Sequence, residues 1–113
     1  MKELETIRSY YKAYETKDRK TLERILVSNF QFISDYAKYR NRDEMLNEIW
    51  PAVLNNNNKL TDIEIFGNRN GFIVKYNLLT PDTVRMAEQI VFDGAKISKI
   101  EVFSEIKPKI GQP

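Results

Sequence analysis

Neither histidine nor cysteine occurs among the 113 residues, so any acid–base chemistry falls to Asp, Glu, Tyr, Lys or Arg. A thiol nucleophile, a Ser-His-Asp triad and a zinc site built on thiolate or imidazole are excluded. A metal could meet only oxygen ligands. The carboxylate pairs Asp43-Glu44 and Asp62…Glu64 lack the spacing of a calcium loop, so no metal site is expected. Gly67, Gly71, Gly94 and Gly111 are scattered, and the first three sit in turn-like stretches, so no phosphate-cradling loop is present. The basic run Lys38-Tyr39-Arg40-Asn41-Arg42 is short, is followed at once by Asp43-Glu44, and suits a loop flanking a helix. With a net charge of +2, no nucleic-acid partner is expected. The phenols are more concentrated. Tyr10, Tyr11 and Tyr14 recur at helical spacing, a pattern that serves a core with wet hydroxyls as readily as a reactive site.

Those residues must be positioned by a packed scaffold. Hydrophobic residues make up 42% and charged residues 30%, the balance of a globular domain with a charged surface. The length fits one domain over 1–113, with a proline-containing tail at 106–113. No apolar run approaches the ~20 residues of a membrane span. The segment Met1-Lys2-Glu3-Leu4-Glu5 is too polar for a signal peptide, so a cytoplasmic address and no membrane partner are expected.

Leu4, Ile7, Tyr11 and Tyr14 predict a helix over 2–16. Asp18 is placed to cap a shorter helix over 19–27, with Leu22, Ile25 and Leu26 as its apolar face. Residues 30–35 alternate as a strand, with Phe30, Phe32 and Ser34 on one face. A third helix follows over 42–54. Asn41 and Glu44 form a capping-box-like start, and Pro51 should kink or restart it. After Asn55-Asn56-Asn57-Asn58, a polar loop, the period changes to that of strands, near 59–67, 71–80, 84–93 and 96–105. Gly67 to Gly71, Pro81-Asp82 and Asp93-Gly94 supply the hairpin turns. Helices first and a meander last give an α+β fold, with the helices on one face of the sheet.

This order of elements resembles that of the nuclear transport factor 2-like superfamily. Two stretches carry the resemblance: Tyr10-Tyr11-Lys12-Ala13-Tyr14-Glu15-Thr16-Lys17-Asp18 with Leu22 and Leu26, and Glu88-Gln89-Ile90-Val91-Phe92-Asp93-Gly94-Ala95-Lys96-Ile97 with Ile100 and Val102. It covers about residues 3–105 and implies three helices packed in a strongly curved, mostly antiparallel sheet, a cone with an internal pocket. Within the superfamily the chain is most similar to the ketosteroid isomerase-like and SnoaL-like polyketide cyclase branch. In that branch a helix tyrosine and a strand acid donate hydrogen bonds to a developing enolate oxygen, and an Asp at the end of the first strand shuttles the proton. Carried over residue by residue, the tyrosine falls at Tyr10 and the acid at Glu88, where the family has Asp. The shuttling position falls at Ser34, with Asp35 next to it. Strand alternation turns Asp35 away from the face of Ser34 unless a bulge or terminal twist brings it back.

A pocket-facing Glu88 would have Met86, Ile90 and Phe92 as same-face neighbours. Facing strands would contribute Phe72, Val74, Tyr76, Ile100 and Val102. Tyr14, Phe32, Ser34 and Trp50 complete the expected lining, Trp50 as a seal of the mouth or core. Desolvation there would raise the pKa of Glu88, so that it could donate while neutral, with Tyr10 as second donor and Asp35 as base. A carboxylic acid kept neutral so that it can donate is the pattern of the ketosteroid isomerase oxyanion hole, and the resemblance implies it here. The alternatives are structural. Glu88 could pair with Arg85, Lys75 or Lys99, or face solvent after a one-residue register slip, and Asp35 could serve only a turn.

Two functions follow. One is a site for a small apolar, carbonyl-bearing molecule, with isomerase- or cyclase-type chemistry and no cofactor. The other is a non-catalytic module that forms a homodimer through the outer sheet face, where Ile73, Leu79, Val91 and Phe103 exceed the apolar content a solvated face needs.

Overall fold

A computed structural model describes residues 2–79 and 83–104. The expected Pro81-Asp82 turn and the 106–113 tail lie outside the described residues. The element order is α1 (Lys2–Glu15), α2 (Arg19–Ile25), β1 (Leu26–Ile33), β2 (Lys38–Tyr39), α3 (Arg42–Asn55), β3 (Leu60–Asn68), β4 (Gly71–Leu79), β5 (Thr83–Asp93) and β6 (Lys96–Ser104). The six strands form one curved, unclosed sheet in the order β2-β1-β6-β5-β4-β3. Every pairing is antiparallel except β1 with β6, which is parallel. This is the expected α+β cone.

Helix α1 buries the stripe Ile7, Tyr10, Tyr11 and Ala13. It ends where Lys17 takes a left-handed backbone, φ 59°, and the Asp18 N–H bonds back to the Ala13 carbonyl at 2.8 Å. The Lys17 ammonium then reaches the end of α3, donating to the Val53 carbonyl at 2.8 Å and to the Asn56 carbonyl. A cation on the terminal carbonyls of a helix suits the negative end of its dipole, and it ties α1 to α3. Asp18 is the N-cap of α2, accepting from the Thr21 N–H at 3.1 Å. Asn41 caps α3 by accepting from the Glu44 N–H at 2.7 Å, while Glu44 takes the Arg40 N–H at 2.8 Å.

Four local expectations are corrected. The second helix stops at Ile25, because Leu26 is already extended (φ −103°, ψ 140°) and begins β1. The expected strand over 30–35 therefore runs earlier and ends at Ile33. Lys38-Tyr39, expected in a loop, pairs with Phe32 and Ile33 as a short edge strand. Helix α3 runs through Pro51 without interruption. Pro51 and Asn47, whose carbonyl loses its helical bond, both lie on the exposed face, so the freed acceptor is not buried in the core.

The inner face of the sheet and the buried stripes of the helices share one core that includes Phe30, Val74, Ile90, Ile97 and Ile100. Two backbone features shape the sheet. Gly71 has φ 137°, and a Cβ built there would stand 2.1 Å from the Ile90 carbonyl oxygen, so only glycine lets β4 and β5 close. In β3, two residues oppose one between Thr61 and Glu64, and Asp62 at this bulge holds φ 55°. A left-handed non-glycine residue costs about 1–2 kcal/mol. A polar clamp holds it: Asn77 donates to the Asp62 carboxylate at 2.7 Å, and Arg85 donates to the Asp62 carbonyl at 3.2 Å and to Glu64 at 2.6 Å.

Candidate functional site

The pleat of β5 turns Glu88 inward, between Val74 on β4 and Val102 on β6. Glu88 is only 5% exposed, the single buried charged residue among the described ones. None of those residues forms an ion pair with it. Its partners are phenols. Tyr11 of α1 donates to Oε1 at 2.6 Å, and Tyr76 of β4 donates to Oε2. A second phenol pair lies beside the first, with Tyr14 donating to the Tyr10 hydroxyl at 3.0 Å. The rings of Tyr10 and Tyr11 meet edge to face at 4.9 Å, and those of Tyr11 and Tyr76 are 5.2 Å apart. Four tyrosines and one carboxyl thus make a continuous cluster.

This cluster forms one wall of a cavity of about 200 Å³. Phe32, Met45 and Ile49 bring apolar surface from β1 and α3, and Leu60 and Leu78 from β3 and β4. Asn58 closes the remaining side. Its left-handed backbone, φ 55°, turns the amide onto the Tyr14 carbonyl at 2.9 Å and the Val53 carbonyl at 2.8 Å.

Burial pushes the Glu88 carboxyl above its ordinary pKa of 4.5; the two phenol hydrogen bonds oppose this but do not cancel it. Burial also pushes the four phenols above 10.0, and the Glu88 charge adds to each shift. They are therefore hydrogen-bond donors throughout the physiological range. The proton count gives the chemistry. With Glu88 ionised, four hydroxyl hydrogens serve three hydrogen bonds among the described residues, which leaves one hydrogen of the Tyr10–Tyr14 pair without an acceptor there. With Glu88 protonated there are five hydrogens for the same three bonds, and the Glu88 group frees a second. A buried donor without an acceptor costs about 1–3 kcal/mol, so the cavity favours a molecule or water that accepts. No three acidic side chains among the described residues converge as metal ligands would.

The structure brings together only part of the expected site. Tyr10, Tyr14, Phe32, Tyr76 and Glu88 line the cavity. Tyr10, expected as a second donor beside Glu88, shares the cavity with it, while the helix phenol bonded to Glu88 is Tyr11, one residue along and some 100° around the helix. Asp35 is exposed and lies outside the cavity, because β1 ends two residues before it. Ser34 forms the turn instead, its hydroxyl accepting from the N–H groups of Tyr36 at 3.2 Å and Ala37 at 3.0 Å. Val74, Ile90, Ile100 and Val102 are buried in the core rather than on the cavity wall. Met86, Trp50 and Phe72 pack against that core; Phe72 meets Phe92 at 5.9 Å, and Arg19 lies 5.8 Å from the Trp50 ring. Tyr11, Met45, Ile49, Asn58, Leu60 and Leu78 line the cavity outside the expected set. Tyr11 is visible only as part of the stripe, and Asn58 only as an asparagine that tolerates a left-handed turn.

No protein-family model matches the chain, and no curated protein matches it. Solved structures do. A nuclear transport factor 2-like protein of unknown function from Cytophaga hutchinsonii superposes with a TM-score of 0.75 at 13% identity, over 91% of this chain and 89% of that one. A candidate polyketide cyclase from Sinorhizobium meliloti gives 0.74 at 12% identity, over 88% and 94%. A candidate ketosteroid isomerase from Shewanella frigidimarina gives 0.67 at 12% identity, over 91% and 95%. The shared property is the fold, the nuclear transport factor 2-like cone.

Proposed function

We propose that a protein with this cone fold binds one small, mostly apolar molecule in the cavity, and that a carbonyl oxygen of that molecule accepts a hydrogen bond from the Tyr10–Tyr14 pair. The observation that carries this is the Tyr10–Tyr14 hydroxyl pair itself, which lines a largely apolar cavity and holds one more hydrogen than its own hydrogen bond uses. Size narrows the ligand. Benzene, with six heavy atoms, occupies an engineered cavity of about 150 Å³, so about eight heavy atoms suit the present one. A six-membered cyclic ketone fits; a four-ring steroid does not. In isomerase- or cyclase-type turnover, Glu88 is the carboxyl within reach, and Asp35 takes part only if its turn rearranges. The neighbouring folds include candidate enzymes of both kinds, which supports this chemistry as an extension of binding.

The test is calorimetric titration with cyclohexanone and with methylenecyclohexane, its isostere lacking the oxygen. The ketone should bind about tenfold tighter, the worth of one good hydrogen bond. The advantage should vanish in the Tyr10→Phe/Tyr14→Phe double variant. Equal affinities for the two compounds in the unmodified protein would reject the proposal.

A second reading, self-association, is favoured by Phe66 and Phe103, each 49% exposed on the outer face of the sheet beside Ile73 and Ala87. Light scattering should show a dimer that Phe66→Lys/Phe103→Lys converts to a monomer. A monomeric unmodified protein would remove this reading.

A further inference from the structure

On the other side of Tyr11 and Leu60, which also line the first cavity, lies a cleft of about 200 Å³ between α1 and β3. Leu60, Ile63 and Ile65 give it an apolar lining, with the Tyr11 ring at the dividing wall. Its rim carries Arg8, Lys12 and Glu15, on successive turns of the exposed side of α1. The Arg8 guanidinium and the Lys12 ammonium form no ion pair and no side-chain hydrogen bond among the described residues. The β3 bulge builds the cleft. Two residues stand opposite one in the ladder, so Ile63 leaves the strand alternation, lines the cleft and remains 39% exposed. The strained Asp62 backbone is held in that form by Asn77 and Arg85, a polar clamp that fixes where Ile63 points.

We propose that this cleft is a second binding site, for a small monocarboxylate with an apolar chain. Two cations and one carboxylate at the rim leave one net positive charge, which matches a monoanion. The Arg8 fork suits the two oxygens of a carboxylate, and Lys12, one turn further along α1, adds a point charge. The apolar lining takes the chain. At the same volume per heavy atom as in the first cavity, about eight heavy atoms fit, the size of hexanoate. The cleft needs no ligand in the first cavity, although the two share Tyr11, the hydrogen-bond partner of Glu88, and Leu60 as wall residues.

The experiment is titration of the full chain, labelled at isoleucine methyls, with hexanoate, hexanol and hexylammonium. Hexanoate should shift the Ile63 and Ile65 resonances, and bind about tenfold or more tighter than either other compound. Arg8→Gln/Lys12→Gln should erase that preference, as should molar salt, while leaving the cyclohexanone affinity of the first cavity unchanged. Ile63→Asp, at a partly exposed position, should abolish hexanoate binding without unfolding. Equal binding of the three compounds, shifts confined to Ile49 in the first cavity, or a double variant with unchanged hexanoate affinity would each overturn the proposal.

Discussion

Replacing Glu88 by Gln separates the charge of this side chain from its shape. The amide retains an acceptor and a donor for Tyr11 and Tyr76, but it cannot ionise. In the unfolded chain Glu88 titrates near its ordinary value of 4.5, and in the folded protein burial raises that value. The native state therefore holds the proton more tightly. Glu88 contributes its full stabilisation below the unfolded pKa, and that contribution is lost as pH rises through the folded pKa. Between the two values the loss is about 1.36 kcal/mol per pH unit, the value of one proton. Unfolding a chain of 113 residues at roughly 2.1 cal/mol/K per residue carries about 240 cal/mol/K, so each pH unit in that window costs about 6 °C of melting temperature. The Gln variant lacks this slope. Melting curves of both proteins from pH 4 to pH 8 should show the variant gaining on the parent by about 6 °C per unit above pH 4.5, then levelling at the folded pKa. A constant difference, or a parent that gains on the variant as pH rises, would refute the argument and make Glu88 a stably ionised group.

Tyr76→Phe removes one of the two hydrogen bonds that hold the Glu88 pKa down, so it should extend the pH window upward. The same change should cost about 1–3 kcal/mol in urea unfolding. Gly71→Ala drives a methyl into the Ile90 carbonyl; roughly 3 kcal/mol or more of destabilisation, or failure to fold, should appear in the same assay. Asn41→Ala removes the α3 cap and should cost about 1 kcal/mol, with the cavity and its ligand affinity unaffected.

The meander was legible because its turns are written locally. Gly67 to Gly71 and Asp93-Gly94 punctuate alternating runs, and the resulting pleat turns Glu88 inward with Ile90. The start of β1 was not legible: Leu22 and Leu26 are four apart, which suits a continuing helix, and only the extended backbone at Leu26 separates the two outcomes. That shift of register also explains Asp35. A strand ending at Ile33 leaves Ser34 and Asp35 to a turn. The choice of Tyr11 over Tyr10 as the Glu88 partner depends on the roll of α1 about its axis. Tertiary packing sets that roll, since both rings are buried and the stripe is wide enough for either. The α1–β3 cleft was hidden for a related reason: Thr61-Asp62 break the apolar alternation between Leu60 and Ile63, but only the pairing of β3 with β4 turns that break into a bulge.

The parallel pairing of β1 with β6 has a consequence for how the chain acquires its structure. Phe32 sits beside Ile100 and Ile33 beside Glu101, contacts between residues far apart along the polypeptide. During synthesis, α1, α2, β1 and α3 emerge long before β6 does, and β1 then has only the two-residue β2 to pair with. The closure that joins the early strand to the late one must meet the loop entropy of the whole intervening chain, a topology associated with slow folding. The wall bearing Glu88 is completed by β6 on one side, so the cavity itself is among the last parts of the molecule to form.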